Sequence, residues 1–173
     1  MTIAHRIRLL TPADTAAYRE LRLEALRSHP DAFGASLADE EARTPEMIAK
    51  RLDAGPTNCL FGAFVESELI GTAGFIIPNG SAKSRHKGLL VGVYAKPGHR
   101  GQTIGRALVQ AVIDHARGQV VLLQTAVGAA NISALRLYEQ LGFRQYGLEK
   151  KALFVDETYI DEALLVLDFT EAD

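Results

Sequence analysis

The chain has 173 residues, 47% of them hydrophobic and 23% charged, which is enough to bury a core and too short for two full domains. That balance excludes a disordered or fibrous chain. A formal net charge of −2 at pH 7, from 19 basic and 21 acidic residues, argues against a general polyanion binder, so no nucleic-acid partner is expected.

Residues 6–10 alternate between polar and apolar and predict a strand. Thr11-Pro12 then supplies an N-cap and a proline for a first helical turn. The stripe Ala16, Ala17, Leu21, Leu23, Ala25 and Leu26 carries that helix to just before His29-Pro30. Residues 31–43 read as loop and end in the acidic run Asp39-Glu40-Glu41; Thr44-Pro45-Glu46 opens a second short helix through Leu52. Residues 59–65 and 69–77 are apolar runs joined by Glu66-Ser67-Glu68, a β-hairpin, with a turn after it at 78–81. A strand over 89–95 is broken by 97–101 and followed by an amphipathic helix over 104–117, a long apolar strand over 120–127 and a short helix over 132–141 ended by Gly142. Residues 143–148 and 163–169 predict two closing strands. The order is β-α-α-β-β-β-α-β-α-β-β, a mixed α/β layer whose segment 89–127 is a parallel βαβ unit.

The single cysteine, Cys59, excludes an intramolecular disulfide and a multi-cysteine metal site, and fits a reducing cytosol. The first residues hold no apolar stretch long enough for a signal peptide, and no segment reaches the ~18–20 apolar residues of a membrane span. The expectation is one cytoplasmic domain over residues 1–173, with no membrane partner. The net charge hides an asymmetry: residues 69–113 contain no Asp or Glu but carry Lys83, Arg85, Lys87, Lys96, Arg100 and Arg106. So one-sided a block suggests that it faces an anion.

Two segments carry chemistry. The turn after the 89–95 strand reads KPGHRGQTIGRAL. Gly101 and Gly105 let backbone approach a ligand, and the free N–H groups of the following helix start make an anion site, strengthened by Arg100 and Arg106. Neither a Walker loop nor a Rossmann fingerprint fits its glycine spacing. The second segment, residues 127–143, reads VGAANISALRLYEQLGF. Asn131 falls at a helix N-cap, where its side chain caps the helix or binds a ligand. Tyr138, on the same helix face, is either a core residue or a phenol placed to protonate a leaving group.

The pair of segments resembles the fingerprint of the GNAT superfamily of N-acetyltransferases. Arg100-Gly101-Gln102-Thr103-Ile104-Gly105 matches the Arg/Gln-x-x-Gly-x-Gly/Ala element, with Thr103 in place of the usual Gly. Asn131, Ala134, Leu137, Tyr138, Gly142 and Phe143 match the Asn-x-x-Ala-x-x-Leu-Tyr-x-x-x-Gly-Phe element in full. The resemblance implies an α/β GNAT fold, a mixed central sheet of about seven strands with about four helices and splayed central parallel strands. It also implies acetyl-CoA as co-substrate, without a metal, and direct acetyl transfer to a primary amine: a small molecule, an amino acid derivative or a peptide N-terminus. A non-catalytic acyl-CoA-binding sensor is the alternative, and the resemblance leaves monomer and homodimer open.

Residue by residue, the resemblance implies that the backbone of Val93, Tyr94 and Ala95 pairs with the pantetheine arm. The amides of Arg100, Gly101, Gln102, Thr103, Ile104, Gly105 and Arg106 would hold the pyrophosphate; Asn131 would contact the pantetheine region and Tyr138 the sulfur, as general acid. Lys83, Arg85 and Lys87 are candidates for the 3′-phosphate. Related enzymes draw a proton from the amine through a Glu on the strand before the pyrophosphate loop, which the acid-free window removes here. His86, Glu41 with its neighbour Glu40, and Asp161 with Glu162 are the candidate bases. Cys59, in an apolar run with no base near it in sequence, is not expected to act as a nucleophile.

Overall fold

The computed structural model of the chain describes residues 5–99 and 103–171. Its strands are β1 (Arg6–Leu9), β2 (Asn58–Val65), β3 (Glu68–Ile76), β4 (Lys87–Ala95), β5 (Leu122–Gly128), β6 (Arg144–Val155) and β7 (Thr158–Asp168). Its helices are α1 (Thr15–Ser28), α2 (Leu37–Glu41), α3 (Pro45–Leu52), α4 (Ile104–Ala116) and α5 (Ile132–Gln140). The strands form one seven-stranded sheet in the order β1-β2-β3-β4-β5-β7-β6, antiparallel throughout except for the parallel pair β4–β5.

The expected mixed sheet with a central parallel pair is what forms. Where the helices start follows from side-chain caps. Asp14, in the short 3-10 turn Pro12–Asp14 before α1, accepts the backbone N–H of Thr11 at 2.9 Å and both guanidinium nitrogens of Arg8 at 2.8 Å. Thr44 accepts the Met47 N–H at the start of α3.

The segment 31–43, expected as loop, instead contains α2. Ser36 caps it by accepting the Asp39 N–H at 3.1 Å, a Ser-x-x-Asp signal hidden by the small residues around it. The closing strands are also longer than expected. β6 runs past Leu148 through Glu149, Lys150 and Lys151, which break the apolar pattern because β6 is an exposed sheet edge. The β6–β7 turn is Asp156-Glu157, both with positive φ (47° and 61°), the geometry of a two-residue hairpin turn usually built from Asn and Gly.

The two sheet faces are covered by different helices. Tyr18, Leu21 and Ala25 of α1 with Ile48 and Leu52 of α3 pack on Leu60, Phe64, Leu69 and Tyr94. Leu108, Val109 and Val112 of α4, with Tyr138 and Phe143, pack on Ala63, Phe75, Leu123, Val127 and Leu165 from the opposite side. Among the described residues no helix is long and apolar enough to cross a membrane.

The Arg8 fork holds the Asp14 carboxyl down at about 2, from an ordinary 3.8. A carboxyl lowered on folding contributes stability that is complete above pH ~4 and is lost as pH falls through the folded value. Asp14→Asn is therefore expected to destabilise the protein by about 1–2 kcal/mol at pH 7, a figure reduced for the partial exposure of Arg8. The difference from the native protein should close between pH 4 and 2, as read by urea unfolding at successive pH values.

Candidate active site

The parallel pairing between β4 and β5 covers only Lys87↔Leu122, Gly88↔Leu123 and Leu89↔Gln124. At the next position in register the Thr125 hydroxyl, nearly buried, donates to the Leu90 carbonyl at 3.0 Å and takes the place of a ladder bond. Beyond it the strands diverge. Two residues on, β4 carries an extra residue against β3: Thr72 faces Tyr94 but Gly74 faces Val91. Gly92 sits in that bulge at φ 61°, a conformation an L side chain adopts only with strain, and its carbonyl accepts the Thr72 hydroxyl at 3.2 Å. The central sheet is thus forked, closed at its Lys87 end and open toward Ala95.

Hydrogen bonding alternates along an antiparallel strand. The Lys96 N–H bonds the Ile70 carbonyl on β3, so residue 94 also turns its backbone to β3, and Val93 turns its backbone toward the open side of the fork. The Tyr94 side chain belongs to the structure of the opposite face, where its hydroxyl donates to Glu24 at 3.0 Å. Of the expected Val93, Tyr94 and Ala95 backbone site, Tyr94 is thus turned to β3 and Val93 to the gap.

The helix that follows starts beside it. Among the described residues the first helical bond of α4 runs from the Ala107 N–H to the Thr103 carbonyl, and the N–H groups of Ile104, Gly105 and Arg106 have no helical acceptor there. Thr103 does not cap its own helix with its side chain. A Cβ at Gly105 would meet only the Leu137 Cδ2, at an ordinary 3.7 Å, so no packing within the described protein requires glycine there. A strand edge leading to free amides at a helix start fits an extended, amide-bearing arm that ends in an anion. Arg100, Gly101 and Gln102 lie outside the described residues.

On α5, the Asn131 side chain accepts the Ala134 N–H at 3.1 Å and so is spent as an N-cap on its oxygen side, leaving its amide hydrogens to donate outward. Tyr138 is the core residue that one of its two readings expects. Its ring packs in the α4 cluster against Phe143 (centroids 5.5 Å apart), and burial pushes its hydroxyl up to about 12, so the phenol stays protonated at any working pH.

The candidate bases are sorted by position. His86 is exposed at the closed end of the fork, its carbonyl held by the Val121 and Leu122 N–H groups. At ~3.3 Å per residue it stands about 20 Å along the strand from Gly92, so it does not join the site. Lys83, Arg85 and Lys87 share that end. Glu41 is exposed and paired with Arg27 at 3.0 Å. Asp161 is lowered by its bond from Lys150 at 2.8 Å and by the Lys151 N–H. Glu162 differs. Ala163 and Leu165 point into the α4 cluster, so alternation turns Glu162 to the other face, beside Gly128 at the open end of β5. Burial, with Glu149 directly opposite on β6, raises its carboxyl above the usual range.

One pairing was not visible in the sequence. Cys59 and His115, far apart in the chain, meet at 3.3 Å. They do not form a nucleophile and base, because His115 Nε2 is 2.7 Å from the Pro56 carbonyl and must donate its proton there. Burial pushes the thiol up to about 11. No group of three or more His, Cys, Asp or Glu among the described residues could hold a metal ion.

The chain matches the family model described as "Acetyltransferase (GNAT) family" over residues 17–143. It is 35% identical over 107 residues to N-alpha-acetyltransferase RimI of Mycobacterium tuberculosis, a match covering 62% of this chain and 65% of that protein. Among solved structures it is similar to a GNAT-family acetyltransferase from Streptococcus pneumoniae, with a TM-score of 0.86 at 22% identity over 96% of this chain and all of the other. It is also similar to yncA from Salmonella typhimurium, solved with its cofactor acetyl-CoA, with a TM-score of 0.85 at 21% identity over 98% of this chain and 96% of that one. Those two likenesses are of fold.

Removing the Thr125 hydroxyl leaves the buried Leu90 carbonyl without its donor at the point where the fork opens. Thr125→Val is expected to cost about 1–3 kcal/mol in chemical unfolding, whereas Thr125→Ser, which keeps the donor, should retain the larger part of that stability.

Proposed function

The chain belongs to the GNAT acetyltransferase family, and from that footing we propose that it transfers an acetyl group from acetyl-CoA directly to a primary amine in a ternary complex. The forked β4–β5 pair carries this reading: one strand edge turned into a gap that ends at free helix amides and lies against a buried, protonated phenol. The acceptor is a small amine, an amino acid derivative or a peptide N-terminus; the similarity to a relative named for N-alpha acetylation supports an α-amine.

Acetyl-CoA brings an activated thioester, whose sulfur departs as a thiolate. The chain's own groups do the rest. Val93 offers its backbone N–H and C=O groups to an extended amide arm, and the Ile104, Gly105 and Arg106 amides with the Thr103 hydroxyl face its phosphates. Holding both reactants in one cleft replaces a bimolecular encounter with an oriented one. Tyr138, protonated at any working pH, donates its proton to the departing sulfur and is reprotonated by the proton that the attacking nitrogen of the tetrahedral adduct gives up. Glu162 takes the proton of the acceptor ammonium. Its raised value brings it nearer to that of an amine than an ordinary carboxylate would be, and it stands at the open end of β5. A covalent route through Cys59 is disfavoured by its raised thiol and by the engagement of His115 with Pro56.

Purified protein is expected to acetylate members of an amine panel with acetyl-CoA. Tyr138→Phe and Glu162→Gln should each lower kcat by roughly 10²–10⁴-fold, with little change in the KM for acetyl-CoA. For the native protein kcat/KM should rise with pH as Glu162 ionises, and Glu162→Gln should abolish that limb. Binding of acetyl-CoA without acetylation of any amine would identify the chain as a non-catalytic acyl-CoA-binding module instead.

A further inference from the structure

The acidic run Asp39-Glu40-Glu41 invites a cationic acceptor, yet the fold consumes all three charges. Asp39 accepts the Ser36 hydroxyl at 2.6 Å and Glu41 pairs with Arg27. Glu40 is only 2% exposed and lies between Arg22 at 3.6 Å and Arg43 at 3.7 Å. Both distances exceed a hydrogen bond, and the buried Glu40 Oε1 and Arg22 Nε have no partner among the described residues. Unmade bonds on buried polar atoms are costly, so this cluster has capacity left for a ligand.

These groups line a cavity of about 630 Å³ between α1, α2, α3 and the sheet, a volume suited to a small molecule. Lys50, Arg51 and Asp53 line it further out. Four cations face two carboxylates, and among the described residues neither Lys50 nor Arg51 has an ion-pair partner. One lining residue, Arg22, also extends from the cavity to β4. Arg22 Nη1 lies 3.9 Å from where a Cβ on Gly92 would sit, at the kink that opens the fork, and Phe33 lies under its guanidinium at 4.9 Å and fixes its plane.

We propose that the acceptor is an amine bearing a carboxylate, of the amino acid class, whose carboxylate is bound by Arg22 and Arg43 while its amine lies at the β4 kink. Glu40 acts as a positioning residue: it holds the two guanidinium groups on one side of the cavity without neutralising both. The inference rests on the acetyl-transfer reading above, and names the substrate class of that same site.

The test compares each common amino acid with its own methyl ester as acceptor. The free acid should be preferred by at least tenfold in kcat/KM. Arg43→Gln, at a partly exposed position that tolerates substitution, should raise the KM for the acid about tenfold and leave those for the ester and for acetyl-CoA unchanged. Calorimetry on CoA-saturated protein, titrated with N-acetyl amino acids and with their methyl esters, gives a second readout that needs no turnover, and the acid should bind more tightly in an Arg43-dependent way. Equal or better use of the esters, or of diamines, by an active enzyme overturns the anionic site and leaves the acetyltransferase reading standing. Arg43-dependent binding of the acids by a protein that acetylates nothing upholds the site and overturns the reaction. Neither turnover nor selective binding overturns both.

Discussion

One hydroxyl marks where this sheet stops being a sheet. The ladder between β4 and β5 ends at Leu89↔Gln124, and Thr125 then satisfies the Leu90 carbonyl that a continuing strand pair would have used. A buried carbonyl left unmade at that point would favour reclosing the ladder or admitting water. Supplied with a side-chain donor, the strands separate without that penalty. The Gly92 bulge completes the separation by turning β4 away over its last residues. Every functional group discussed above is placed relative to that fork: the edge at Val93, the start of α4, Tyr138 beneath it and Glu162 at its mouth.

A gap in the middle of a sheet needs rigid walls, and they come from the packing on the two faces of the sheet. α1 and α3 clamp β2, β3 and β4 from one face, with Tyr94 tied to Glu24 on α1. α4 and α5 hold β5 and β7 from the other, through Leu123, Val127 and Leu165. The outer strands add the β6–β7 hairpin, antiparallel to β5 along its full length. The α4 cluster also takes in Ala63, Phe75 and Leu90 from the β2–β4 half, so one layer of side chains spans both edges of the gap where no ladder joins them.

Legibility in the sequence follows from how local each signal is. The strand–turn–helix segment around Thr103 and Gly105 and the Asn131-to-Phe143 helix were readable because a cap, a glycine and a helical stripe are short-range patterns. The fold's element order came with them. α2 was missed because five residues capped by Ser36 give almost no periodic signal. The far halves of β6 and β7 were missed because an exposed edge strand carries Glu-Lys-Lys where a buried one would alternate. Cys59 with His115, and Glu40 with Arg22 and Arg43, are contacts between separate elements, and no spacing in one chain announces them. His86 fails for the same reason in reverse: adjacent in sequence to the key strand, it sits at its wrong end.

The charge pattern acquires its meaning from the same geometry. Residues 69–113 are free of acids, and they cover β3 after its first residue, β4, the stretch after it and α4 as far as Ile113. A carboxylate on that surface would repel a phosphate-bearing ligand at short range in a partly desolvated cleft, where screening is weak. Keeping acids off the strand also removes the nearest position for a proton acceptor, so the acceptor must be held on the opposite wall. Glu162 meets that condition. It is on β7, on the β5 side of the fork, and burial together with its neighbour Glu149 raises its carboxyl, which suits the proposed role. On the proposed assignment, separating the anion-binding wall from the proton-accepting wall would let one small cleft hold a polyanion and a carboxylate base without either weakening the other.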